Sequence, residues 1–166
     1  MRERDIVRRL IHRHQTRDPF ELASLTDREI VIQPLVGVRG FYQYFKRNHL
    51  IYLSDSLDYV SKKFVCAHEL AHSFLHCDIN AVYLDSQTHF TARKFEMQAD
   101  RFAADLLISD ADVEEYVTWP VDKLSQMWGI RGDAIKYRLQ HTQIGFGIKE
   151  ETVQEAEYAQ PKLKRI

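Results

Sequence analysis

The period of the apolar positions changes twice along this chain, and those changes divide it. From Asp5 to Gln15, Ile6, Val7, Leu10 and Ile11 form one stripe while Arg8, Arg9 and Arg13 fall elsewhere, which predicts an amphipathic helix with a solvated basic side. His12 and His14 share that helix without partner spacing and read as surface residues. Asp18-Pro19-Phe20-Glu21 reads as a second helix start: Asp18 caps, Pro19 suits the first turn, and Glu21 completes a capping box. That helix should run through Leu25 and stop at Thr26-Asp27.

The period then shortens. Glu29 to Gln33 is β-branched and closed by Pro34, as expected of a strand away from the sheet centre. Gly37 and Gly40 bracket a turn, and Phe41 to Phe45 with Leu50 to Leu53 predict a hairpin about Lys46-Arg47-Asn48-His49. From Asp55 or Ser56, either of which can cap, the helical period returns and lasts to about His76. Its apolar flank is Phe64, Ala67, Ala71, Phe74 and Leu75. Residues 77–90 show no period and read as a loop. Thr91 is a cap for a helix over Ala92 to Ile108, Ser109 or Asp110 for a short one ending by Trp119-Pro120. Val121 to Trp128, closed by Gly129, and Asp133 to His141 make a last helical pair. Three strands followed by a helical half make the expected class α+β, with the sheet on one side.

Composition adds limits. At 166 residues, 45% hydrophobic and 28% charged, the chain has the make-up of a soluble globular protein with one sizeable core. A formal charge of −1 gives no global attraction to nucleic acid or anionic membrane. The first residues hold no apolar signal segment, and no run approaches the ~20 apolar residues needed to span a bilayer. Cys66 and Cys77 would lie about 16 Å apart on one helix and cannot pair, which suits a reducing compartment. The expectation is a cytoplasmic protein with residues 1–118 as the main domain, 119–142 packed on it, and 143–166 as a poorly ordered tail.

Within the long helix, Phe64-Val65-Cys66-Ala67-His68-Glu69-Leu70-Ala71-His72 carries the chemistry. Histidines at i and i+4 share a helix face, so His68 and His72 can ligate one tetrahedral metal. Glu69 then sits beside the ion, where it can take a proton from a water whose pKa zinc lowers to roughly 7. This predicts a zinc hydrolase. A helix that merely happens to carry two histidines is the alternative, and a third ligand decides. His76 lies eight residues beyond His68, about 12 Å along the axis, too far to share an ion; it reads as an outer or helix-end residue. His89 lies in the loop, where position is not predictable. Glu96, with Asp100 one turn later, can ligate while Asp100 accepts the free ring N–H of a ligating histidine. Glu96 is therefore the expected third ligand.

With these residues in place, the chain resembles the ImmA/IrrE family of zinc metallopeptidases from about residue 18 to 139. The resemblance is strongest over Phe64 to His76 and Glu96 to Leu107, with support from Ile51-Tyr52-Leu53-Ser54 and Leu124 to Leu139. It implies a zincin-like, thermolysin-type fold, with His68, His72 and Glu96 as zinc ligands and Glu69 as general base. It further implies a phage or mobile-element anti-repressor that cuts a helix-turn-helix repressor. Ala71 stands where the family commonly has glycine, and Ile108-Ser109 replaces a frequent Met-Pro; neither touches a ligand.

Peptide hydrolysis also needs a donor for the oxyanion besides the metal. His89, Tyr137 and His141 are candidates among which the sequence does not choose. The edge of the Phe41–Phe45 strand could align substrate by strand addition. A different reading makes the protein a DNA- or repressor-binding module with a structural metal, since Lys136, Arg138 and Gln140 on the last helix could reach DNA. The slightly negative charge and the presence of only two helices there favour packing or repressor docking instead.

Overall fold

The computed structural model describes residues 3–77 and 89–142, and within it the side chains of residues 89–91 are not described. The tail expected from residue 143 and nearly all of the expected 77–90 loop lie outside the described residues. Helices α1 (Glu3–His14) and α2 (Pro19–Leu25) precede strands β1 (Arg28–Gln33), β2 (Gly40–Phe45) and β3 (Asn48–Ser54). Helix α3 (Tyr59–Leu75) carries the histidine motif. It is followed by α4 (His89–Leu107), α5 (Asp110–Tyr116), α6 (Val121–Trp128) and α7 (Gly132–Gln140). The class is α+β, a three-stranded mixed sheet followed by helices.

Strand β3 lies in the middle of the sheet, parallel to β1 and antiparallel to β2. Its inward residues Ile51 and Leu53 are fully buried, each burial contributing roughly 1.5–3 kcal/mol. Strand β1 is an edge, in keeping with the expectation from Pro34, which closes it. The hairpin turn is tighter than the four residues expected. Only Lys46 and Arg47 separate the strands, at φ of 48° and 68°, the left-handed pair a two-residue turn demands.

Three caps differ from expectation. Asp18 caps α2 by accepting from the Phe20 and Glu21 amides, but Glu21 does not close a box on it. Thr16 mediates instead: its hydroxyl donates to Glu21 and accepts from the Asp18 N–H. Helix α3 is capped by Asp58 rather than Asp55 or Ser56, because Ser54 to Leu57 is held in a turn; the Ser56 hydroxyl bonds that of Ser54. Helix α4 starts at His89, so Thr91 lies inside it and is not its cap. Ser109 caps α5 with a capping box to Asp112.

Helices α3 and α4 pack on each other and α3 packs on β2 and β3. Ala67 and Ala71 of α3, and Ala99 and Ala103 of α4, are all fully buried among Leu70, Phe102 and Leu106. Arg17 donates to the Asp105 and Leu106 carbonyls, satisfying the open end of α4. Buried Arg138 joins α7 to the same end, donating to the Ile108 carbonyl, Asp110 and Thr142. Gly129 closes α6 at φ 66°. Among the described residues, no helix is long and apolar enough to cross a membrane.

Gly40 lies where β2 meets α3. A Cβ there would stand 2.6 Å from the Val65 Cγ1 and 2.7 Å from the Tyr52 carbonyl oxygen. Gly40→Ala is expected to destabilise the fold by about 1–3 kcal/mol, measured by urea denaturation, because β2 must move off the helix. An unchanged midpoint would show that the strand has room to shift.

Candidate metal centre

Helical spacing aims His68 and His72 from α3 at Glu96 on α4. Glu96 Oε2 is 3.2 Å from His68 Nε2, Glu96 Oε1 is 3.5 Å from His72 Nε2, and the two Nε2 atoms are 3.2 Å apart. Atoms bonded to one tetrahedral ion at about 2.0–2.1 Å lie about 3.3–3.4 Å from each other, so these separations are those of adjacent ligands. Two imidazole nitrogens and one carboxylate form a donor set suited to a catalytic zinc ion, with a fourth place for water. Among the described residues these three are the candidate metal group.

Asp100 lies behind the cluster. Its Oδ1 accepts from His68 Nδ1 at 2.9 Å, which leaves Nε2 as the nitrogen facing Glu96. Burial opposes charge on His68, yet Asp100 and Glu96 outweigh it and hold the ring's pKa up at about 10. Hydrogen bonds from His68 and His72 hold Glu96 well below the usual carboxylate range. A proton on His68 thus answers the local excess of negative charge, which a divalent cation would satisfy more fully.

Glu69 is buried, and burial raises its carboxyl above the usual range while the neighbouring histidines pull it down. The Tyr42 backbone N–H donates to it. Residues of an antiparallel strand alternate in direction, so a Tyr42 amide turned to Glu69 faces away from β3. The free edge of β2 therefore borders the cluster. A cleft of about 200 Å³ opens over His68, Glu69, Glu96 and Asp100, with Gly40 at its sheet side.

His76 caps the end of α3, packs its ring on Phe95 at 4.4 Å and stays outside the three-atom group. Burial lowers its pKa to about 4. His89 is the first residue of α4, but its side chain lies outside the described residues. Tyr137 and His141 stack on each other at 4.3 Å, with the Tyr137 hydroxyl 3.4 Å from Asp105, and neither lines the cleft. Arg138 is buried in its ion pairs and cannot serve as the DNA contact considered above. Arg39 and Arg131 do line the cleft. Both belong to irregular segments whose position no sequence period reveals.

The sequence profile of the IrrE N-terminal-like domain, peptidase family M78, matches residues 27–140. The chain belongs to this family. It is therefore a metallopeptidase of the M78 type. It is 35% identical over 127 residues to immunity region protein 2 of Bacillus phage phi105, covering 75% of this chain and 80% of that one. It is 30% identical over 111 residues to metallopeptidase ImmA of Bacillus subtilis strain 168, covering 66% of this chain and 64% of ImmA. A Mycobacterium tuberculosis transcriptional regulator shares the fold, with a TM-score of 0.56 at 15% identity over 86% of this chain and 47% of the regulator. The family member thus spans about half of that regulator.

Asp100→Ala is expected to weaken metal binding about 10–100-fold in competition with a chromogenic chelator, because the His68 ring loses its anchor. Unaltered affinity would remove Asp100 from the site. Since Asp100 and Glu96 raise the His68 pKa to about 10, metal uptake at pH 7 should release a proton from it. Calorimetry should then give a binding enthalpy that changes with the buffer's ionisation heat. A buffer-independent enthalpy would contradict the assignment.

Proposed function

We propose that the protein is a zinc-dependent endopeptidase that cleaves a helix-turn-helix repressor of a phage or mobile element. The observation that supports this best is the set of three ligand-atom separations near those of a tetrahedron, with Glu69 beside it and Asp100 behind. His68, His72 and Glu96 would hold the ion. Bound zinc would supply Lewis acidity towards the scissile carbonyl and the attacking water.

The chain's own groups do the rest. Glu69 takes the water's proton and returns it to the leaving amine; a carboxyl raised by burial is closer to the pKa both tasks favour. Asp100 keeps His68 in one tautomer. The free edge of β2, beside Gly40, aligns an extended substrate by backbone hydrogen bonds. An extended segment is what a linker between a repressor's folded parts would offer. The likeness to a phage immunity region protein supports a regulatory substrate, which would be met in the cytoplasm.

The test is reconstitution with the helix-turn-helix repressor encoded nearest this gene. Specific cleavage should stop on chelation, return with zinc, and fall about 10²–10⁴-fold in Glu69→Gln while zinc stoichiometry is kept. Cleavage surviving Glu69→Gln would overturn the mechanism. An intact repressor beside a variant-sensitive hydrolysis of another protein would overturn the substrate assignment alone.

A further inference from the structure

The cleft carries two cations that the hydrolytic mechanism does not use. We propose that Arg39 and Arg131 make the site selective for peptides with an acidic side chain next to the scissile bond. This inference rests on the peptidase reading and names the substrate chemistry of the same cleft.

Arg39 directly precedes Gly40, at the start of β2, and arrives from the sheet side. Arg131 is the residue before α7 and arrives from the helical side, with its Nε 3.7 Å from Asp100 Oδ2. They are the arginines among the residues that line the cleft. Arg131 also pairs with Asp133 through Nη2 at 3.3 Å, yet its side chain remains 68% exposed. Arg39 is exposed and makes no ion pair within 4.0 Å among the described residues.

The acids of the floor neutralise this rim only in part: Asp100 lies 3.7 Å from Arg131 while it also accepts from His68. Glu96 faces the two histidines, Asp100 is bonded to His68, and Glu69 is buried on the Tyr42 amide. Each has a partner within the cluster, and a bound divalent ion would offset two of their charges. The rim then presents guanidinium N–H donors to whatever lies along β2. A guanidinium matches a carboxylate with two parallel N–H donors, whereas a lysine or arginine side chain of a substrate meets like charge. Substrate backbone laid against the edge from Gly40 would pass beside Arg39 at one end and reach the cluster below Arg131. The arrangement therefore favours aspartate or glutamate close to the bond that is cut.

The experiment uses the full zinc-loaded chain and three peptide hydroxamates, identical except for Asp, Asn or Lys beside the hydroxamate group. Affinities are measured by competition at low and at high salt. The Asp compound should bind best and the Lys compound worst, by about two- to tenfold for each arginine, with the spread shrinking in high salt. Arg39→Gln combined with Arg131→Gln should abolish the order, and the two Arg→Glu changes should reverse it. Zinc stoichiometry of each variant separates these effects from damage to the metal centre, and the single Arg39→Glu change serves where the double variant fails to fold. Hydroxamates that bind without preference, or an order that survives loss of both arginines, would overturn this inference alone. Hydroxamates that do not bind at all would overturn the peptidase reading and this inference with it.

Discussion

The site depends on how closely α3 and α4 approach. Each helix carries a pair of buried alanines one turn apart, Ala67 and Ala71 on α3, Ala99 and Ala103 on α4. Next to each pair lies a pair of the candidate metal centre: His68 and His72 on α3, Glu96 and Asp100 on α4. Small side chains let two helices come together near the lower end of the 8–10 Å range of axis separations. The packing of α3 on α4 brings the candidate ligand atoms to separations of 3.2–3.5 Å. Ala71 is notable here, because it occupies the flank position next to His72 without exposing any surface.

Such an arrangement gathers acids and imidazoles that would not stay together without compensation. His68 donates a hydrogen bond to Asp100, Glu96 straddles both imidazoles, and the Tyr42 amide supports Glu69. The sheet therefore contributes more than a floor for α3. Strand β2 touches the helix at Gly40, anchors Glu69 through Tyr42, and leaves an edge open beside the cluster. At the far side, Arg131 links Asp100 to the start of α7, so the last helical pair is in electrostatic contact with the site. The buried Arg138, tied to Asp110 and the Ile108 carbonyl, keeps that pair seated on the end of α4.

The parts legible in the sequence are those set by local rules. The spacing of His68 and His72 places them on one helix face, and the same rule applied to Glu96 and Asp100 yields the facing pair. Asp18, Ser109 and Gly129 act where cap chemistry puts them. Local rules failed where several residues competed. Asp55, Ser56 and Asp58 can all start α3, and Asp58 does so because Ser54 to Leu57 is held in a turn, with the Ser54 N–H bonded to the Arg39 carbonyl fifteen positions away. Likewise Glu21 and Asp18 have capping-box spacing, while nothing in the sequence marks Thr16 as the group that bonds both. The arginines of the cleft were invisible for the same reason. Their place on the cleft is set by the segment that enters β2 and by the turn before α7, and neither has a sequence period. Lys136 and Gln140 remain on the outer part of α7, while Arg138, which looks alike in sequence, is turned inward.

The central claim is that one metal ion is shared by three atoms of two helices. Crystals of the zinc-loaded full chain, with anomalous data on both sides of the zinc edge, test it most directly. The account predicts a single strong peak within about 2.0–2.2 Å of His68 Nε2, His72 Nε2 and a Glu96 oxygen, with a fourth position left for water. A peak held by His76 or a cysteine, or a zinc ion coordinated without Glu96, would contradict it.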